Sequence, residues 1–199
     1  MPGKRDQRTV VARVVGISGS PRRGGNTDTL LDKALEGARL GGAVSEKIFL
    51  NDLAFKPCQG CGGCLRTGIC VIRDDMRHIY RAVENADSVI IASPVFFGTV
   101  TAQLKAMIDR FHSRWIAKYV LKKGPRGKRQ RKGYFLSASD SPKRKYFVDA
   151  RKIVRNFFAT TDIEYAGELF CGGIKEKGVV KKDARSMEKA FGLGKAAVR

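Results

Sequence analysis

A strand, a glycine-rich loop and a helix, read in that order over residues 10–40, leave this chain few folds to choose from. Residues 10–17 are β-branched and almost continuously apolar, from Val10 through Val14 and Val15 to Ile17. A strand with one wet face alternates in polarity. A run without alternation needs cover on both faces, the environment of a central parallel strand. The run passes straight into Ser18, Gly19, Ser20, Pro21, Arg22, Arg23, Gly24, Gly25, Asn26 and Thr27. A helix then spans 27–40, with Leu30, Leu31, Ala34, Leu35 and Ala38 on one face, and Gly41 and Gly42 stop it.

The alternation continues to the end of the chain. Strands are expected over 44–50, 86–93, 133–139 and 163–171, and helices over 74–83, 102–115, 146–158 and 184–198. Five strands interleaved with helices make a doubly wound α/β sheet in three layers, with ligand loops at the carboxyl ends of the strands. At 199 residues the chain fits one domain spanning 1–199. Residues 54–73 stand out in it as a cysteine-rich insertion, and residues 118–132 as a basic connector expected to be an exposed loop. No apolar run reaches the ~18 residues of a membrane span. Residues 1–9 read as a frayed basic tail rather than a signal peptide, so the expected location is the cytoplasm.

Three stretches carry chemistry. In the first loop, small residues let backbone N–H groups approach a phosphate, and the helix start adds about half a positive charge. Ser18, Ser20, Asn26 and Thr27 could donate hydrogen bonds there, and Arg22 a charge-assisted one. The loop matches neither G-x-x-x-x-G-K-[ST] nor G-x-G-x-x-G. The plain alternative is a capped loop with Asn26 or Thr27 as N-cap. The second stretch, Ser93, Pro94, Val95, Phe96, Phe97, Gly98, Thr99, is a rigid aromatic loop at a strand end, suited to covering a flat ring or to folding back on the core. The third, over 56–70, holds four of the five cysteines in the spacing C-x2-C-x2-C-x5-C, namely Cys58, Cys61, Cys64 and Cys70. In a reducing compartment such density argues for metal or redox chemistry rather than disulfides. Cys171 stands apart and reads as a buried thiol, and His78 as a surface residue. The formal net charge of +20 implies an acidic partner or a solubilising surface. The connector, with Lys118, Lys122, Lys123, Arg126, Lys128, Arg129, Arg131 and Lys132, is the natural place to dock an acidic surface, but it has no interleaved aromatic residues for stacking bases.

Together these stretches resemble the flavodoxin-like NADPH-dependent FMN reductase superfamily, and within it the iron–sulfur flavoproteins. The similarity rests on the loop from Gly19 to Thr27, on Ser93 to Gly98 with the helix through Arg110, on the four cysteines, and on the tail from Gly167 to Gly194. It implies a flavodoxin-like five-stranded parallel sheet binding FMN. The implied contacts are Ser18, Ser20, Arg22, Asn26 and Thr27 at the phosphate, Pro94, Val95, Phe96, Phe97 and Gly98 at the ring, and Ser137 and Ser139 from the loop after the fourth strand. It also implies a [4Fe–4S] cluster on Cys58, Cys61, Cys64 and Cys70, a homo-oligomer (dimer or tetramer) and a ferredoxin-like donor. Two positions depart from the family: Phe96 stands where tyrosine is common, and Ser137, Ala138, Ser139, Asp140 replace a glycine-rich loop.

Two-residue spacers let three thiolates wrap one face of a cluster, and Gly60, Gly62 and Gly63 permit the turns this needs. Structural zinc, which favours well-separated C-x-x-C pairs, is the main rival. The expected function is therefore electron transfer between a [4Fe–4S] cluster and FMN, with no catalytic acid–base residues. One alternative is an NAD(P)H-dependent FMN or quinone reductase whose cysteines hold no cluster. Another is a redox-sensing nucleic-acid-binding module, for which no recognised motif is present.

Overall fold

The computed structural model describes residues 11–123 and 130–198. Residues 1–10, 124–129 and 199 lie outside it, and with them the expected basic tail and the middle of the connector. Five strands, β1 (Arg13–Ser18), β2 (Val44–Phe49), β3 (Ser88–Pro94), β4 (Lys132–Ala138) and β5 (Glu164–Cys171), form one sheet in the order β2-β1-β3-β4-β5. Every pairing is parallel. This is the flavodoxin-like arrangement, in which the chain starts at the centre, steps out to β2, then crosses back over β1 to β3.

The helices are α1 (Asn26–Leu40), α2 (Met76–Asn85), α3 (Ala102–Arg110), α4 (His112–Trp115), α5 (Val148–Thr160) and α6 (Ala184–Ala196). Strand side chains alternate between two cores, as the pleat requires. Val15, Ile17, Val89, Ile91 and Phe135 pack with Met76, Ile79, Leu104, Met107, Val154 and Phe158 of α2, α3 and α5. Val14, Ile90, Tyr134 and Leu136 pack with Leu30, Leu31 and Ala34 of α1 and Ala190 of α6. Each large side chain buried this way contributes roughly 1.5–3 kcal/mol, against at most about 1 kcal/mol for an exposed ion pair, so the two apolar layers hold the fold together. Helices α1 and α6 touch backbone to backbone. A Cβ at Gly194 would overlap the Ala34 carbonyl, and one at Gly37 the Phe191 carbonyl. Among the described residues no helix is long and apolar enough to cross a membrane.

The expected elements are present with shifted ends. Strand β1 ends at Ser18 rather than Ile17, because Ser18 still pairs with Phe49 and Ala92. Helix α2 starts at Met76 rather than Asp74, because the Asp74 carboxylate accepts from the Met76 N–H at 3.2 Å and closes the turn from outside. The helix expected over 102–115 breaks at Phe111. A short α4 follows, then a π-helical turn, Ile116–Val120. The connector is therefore not all loop. Lys118 lies in the π-helical turn, donating to the Ala159 carbonyl and the Asp162 carboxylate, while Lys132 is already the first residue of β4.

Candidate functional site

Two depressions hold the residues that the sequence singles out. The larger, about 500 Å³, lies where the chain reverses direction between β1 and β3. Backbone bonds knit its rim together. Gly19 donates to the Ala92 carbonyl at 2.7 Å, Val95 to Ala138 at 2.8 Å, Ser139 to Cys171 at 2.9 Å and Ile174 to Ser139 at 3.0 Å. Thr101, whose hydroxyl donates to the Gly19 carbonyl at 2.6 Å, ties the first loop to the start of α3. Ser20, Arg22, Asn26, Thr27, Pro94, Val95, Phe96, Phe97 and Ser139 all line the cleft.

The first loop presents its backbone to this cleft. Gly25 is the N-cap of α1 and offers no side chain to the first turn. The expected Asn26 or Thr27 cap is thus replaced by glycine, and among the described residues the opening N–H groups of α1 are left uncapped. The Thr27 hydroxyl is buried there without a hydrogen-bond partner among the described residues. Ser20 holds the loop to itself, its hydroxyl bonding the Arg22 N–H and carbonyl at 3.1 Å each. Beneath, Asp28 accepts from the Ser18 hydroxyl at 2.9 Å and the Gly24 N–H at 2.8 Å, and Lys47 lies 2.8 Å away. Burial alone would raise the Asp28 pKa. The Lys47 ammonium and the two hydrogen bonds outweigh it and hold the carboxyl below its usual range.

Three expected contacts sit elsewhere. Ser18 is fully buried under the floor, bonded to Asp28, and Ser137 is fully buried, donating to the Ser93 carbonyl at 2.7 Å. Both hydroxyls occupy the inward side of the last pleat of their strands, so neither reaches the cleft. Gly98 lies outside the lining and serves the aromatic loop as a turn residue. Phe96 and Thr99 exchange both backbone hydrogen bonds, at 2.9 and 3.1 Å, around Phe97 at φ 48° and Gly98 at φ 79°. Two successive positive φ angles describe a type I′ turn, which a bulky residue such as phenylalanine enters at a cost. The result is a Phe97 ring held entirely in solvent at the mouth of the cleft, with Phe96 half-exposed beside it. Asn26 faces the cleft, but its side chain is also engaged across the chain. Its amide donates to the Glu176 carbonyl at 2.8 Å and accepts from the Val180 N–H at 3.2 Å, bringing Ile174, Lys175 and Lys177 to the rim. Those three residues carry no local signal that could have announced them, since α6 and β5 place them.

The second depression, about 180 Å³, is lined by all four clustered cysteines together with Leu65, Val71, Arg110, His112 and Ser113. The segment between Leu53 and α2 has neither helix nor strand. It turns through Gly60, Gly62 and Gly68 at φ 62°, 71° and 74°. Gly68 has a second reason to be glycine, because a Cβ there would sit 2.6 Å from that of Ala117. Side chains tether the segment. Arg110 bonds the Lys56 carbonyl and Asp74 at its start and end, and Arg114 donates to the Gly68 carbonyl at 3.0 Å. Tyr80 donates to the Arg110 carbonyl at 2.7 Å, and burial pushes its phenol up to about 12. Burial also raises the Cys64 thiol, and the other three cysteines add to the rise. All four are free thiols, and among the described residues no group of three or more His, Cys, Asp or Glu side chains is placed to hold a metal ion. Cys171 is buried as expected, its sulfur 3.3 Å from the Ser186 hydroxyl, and His78 is exposed beside Glu46.

A family model for NADPH-dependent FMN reductase matches residues 12–142. Over 98 residues the chain is 48% identical to an iron–sulfur flavoprotein of Archaeoglobus fulgidus and 43% identical to one of Methanosarcina thermophila. These matches cover 49% of this chain and 44% and 51% of those proteins, so the chain spans about half the length of the curated relatives it matches. Among solved structures, an NAD(P)H:quinone oxidoreductase from Methanothermobacter marburgensis superposes with a TM-score of 0.68 at 16% identity, over 94% of this chain and 96% of that one. An FMN-dependent NADH-azoreductase from Bacillus anthracis, solved with FMN, gives 0.67 at 12%, over 95% and 100%. At such identities the likeness shows the fold alone. The family match, in contrast, runs through the first glycine-rich loop, the cysteine segment and the aromatic turn, and the chain belongs to the NADPH-dependent FMN reductase family.

Proposed function

We propose that this chain is a flavin-dependent oxidoreductase that holds FMN in the β1/β3 cleft and a [4Fe–4S] cluster on Cys58, Cys61, Cys64 and Cys70, and moves electrons between them. The observation that carries the reading is that all four clustered cysteines line one cavity as free thiols. A single tetrahedral ion needs its thiolates to meet at one point, whereas a cubane takes each thiolate on a different iron. Four thiols around one cavity match in number the four iron corners of a cubane. Ligation must displace their protons.

The flavin half of the reading has its own support. The uncapped start of α1 and the partnerless Thr27 hydroxyl provide donors of the kind a phosphate needs. Arg22, Lys175 and Lys177 add positive charge around the same cleft. Phe96 and Phe97 are placed to shelter one side of a ring, and Asn26 keeps the Lys175 segment against the opening. When bound, FMN exchanges one or two electrons and the cluster one, so together they join two-electron to one-electron carriers. The protein's part is to position both groups, exclude water and balance charge.

The strong positive charge supports an acidic donor of the ferredoxin type, and the resemblance supports a homo-oligomer acting in the cytoplasm. The test is a visible spectrum with iron, sulfide and flavin analysis on anaerobically purified protein. About four irons per chain beneath a flavin spectrum is the expected result. Flavin without iron would overturn the cluster and leave a plain FMN reductase. Replacing Thr27 by valine removes one hydroxyl at constant shape, and the FMN dissociation constant is expected to rise about tenfold or more.

A further inference from the structure

Arg110 closes α3 with a side chain that is wholly buried. Its Nη1 donates to the Lys56 carbonyl at 2.8 Å and to Asp74 Oδ2 at 2.6 Å, and its Nη2 donates to Asp74 Oδ1 at 3.1 Å. Lys56 and Asp74 flank the four cysteines in sequence, so one guanidinium clasps the segment at both ends. Its third nitrogen differs. Nε is buried and, among the described residues, has no acceptor, while Arg110 itself lines the cysteine cavity. An N–H buried without an acceptor costs about 1–3 kcal/mol, and native structures rarely keep one unless a bound group completes it. The nearby acceptor-rich species in a cavity walled by four cysteines is sulfur. A thiolate or sulfide sulfur carries negative charge and would make this a charge-assisted bond.

We propose that Arg110 is a positioning residue for the cluster, its Nε–H donating to a sulfur of the thiolate-bound [4Fe–4S] group while its other nitrogens hold the cysteine loop closed. This rests on the iron–sulfur reading above. Because Asp74 already balances the guanidinium charge, the effect is that of one directed hydrogen bond rather than a net cation. A donor to sulfur stabilises the electron-richer state, so Arg110 raises the cluster's reduction potential. A lysine can keep the tie to Asp74 but has no planar fork with a third nitrogen at the Nε position, and a glutamine lacks both charge and fork.

The experiment compares wild type, Arg110→Lys, Arg110→Gln and Asp74→Asn for iron, FMN content and cluster midpoint potential, followed by redox titration with electron paramagnetic resonance. The expected result is that Arg110→Lys keeps its iron and FMN but is reduced with an equilibrium constant about tenfold less favourable, 59 mV lower for a one-electron couple. The Asp74→Asn variant, which retains the fork but unmasks the guanidinium charge, should hold iron at a potential no lower than that of wild type. Iron retained at an unchanged potential in both Arg110 variants would overturn the proposal. Should both Arg110 variants lose iron yet keep FMN, Asp74→Asn decides. Iron kept there supports the sulfur contact, and iron lost there reduces Arg110 to a loop anchor and overturns it. Wild type carrying FMN without iron would defeat the iron–sulfur reading itself, and this proposal with it.

Discussion

The β1/β3 cleft and the cysteine cavity are built by opposite means. The cleft is made of backbone: its loops are extensions of buried strands, and main-chain hydrogen bonds such as Val95 to Ala138 set their spacing. The cavity is made of side chains. Its cysteine-bearing wall carries no regular structure, and Arg110, Asp74 and Arg114 hold it in place. A site of the first kind exists once the sheet exists. A site of the second kind depends on a handful of polar bonds. Separate perturbations should therefore be able to break one and spare the other.

The sharpest separation is Cys61→Ser. Iron is expected to fall to background while FMN stays stoichiometric, which elemental and flavin analysis on one sample will show. Iron retained at full occupancy would remove Cys61 from the ligand set. The reverse perturbation is Gly194→Ala at the α1/α6 contact, where a methyl meets the Ala34 backbone. A loss of about 3 kcal/mol is expected in chemical denaturation, at a contact that lines neither cavity, and it should lower the stability of the whole sheet without changing the iron-to-flavin ratio. Asp74→Asn comes next, at about 2 kcal/mol, since it weakens a bidentate bond to a buried cation.

That last effect carries a pH signature. Burial raises the Asp74 pKa, but the Arg110 hydrogen bond and charge, joined by the Lys56 and Met76 N–H groups, together lower it by more, and the net folded value lies below the unfolded one. A depressed carboxyl stabilises the fold above its unfolded pKa of about 3.9, and the contribution fades as pH falls through the folded value. The stability gap between wild type and Asp74→Asn should therefore be widest near neutrality and close in acid. A gap independent of pH would mean that the carboxylate charge is not what Arg110 uses. The smallest effect is expected at Phe97→Gly, which relieves the positive φ and should gain about 1 kcal/mol of stability while weakening FMN binding. A gain in stability with unchanged flavin affinity would make Phe97 a surface for another molecule rather than a cover for the ring.

Residues close in sequence made the fold and much of both sites legible before any coordinates. The unbroken apolar run of β1 had to be covered on both sides, and the glycine-rich loop after it had to face the end of the sheet. The four cysteines lie close enough together for spacing alone to group them. What could not be read were interactions whose partners meet only through the sheet. Asn26 looked like a ligand to whatever fills the cleft, and nothing local hinted that its amide also binds Glu176 and Val180, 150 and 154 positions away. Ser18 and Ser137 have the right chemistry, but the pleat turned both hydroxyls inward. The break at Phe111 was equally hidden, because the local pattern continues as a helix.

Local pattern determined the strands, the helices and the grouped thiols of this protein, because steric preference and the 2.0 and 3.6 residue periods act over a few positions. Tertiary structure decided which donors face a ligand. Strand order brought the segment near Lys175 to the rim of the cleft, and packing carried Arg110 from a helix that reads as ordinary into the wall of the cysteine cavity. The physical reason is that burial depends on every layer at once. Arg110 is placed in the core because a carbonyl and a carboxylate meet it there, and those come from parts of the chain that no short window contains together.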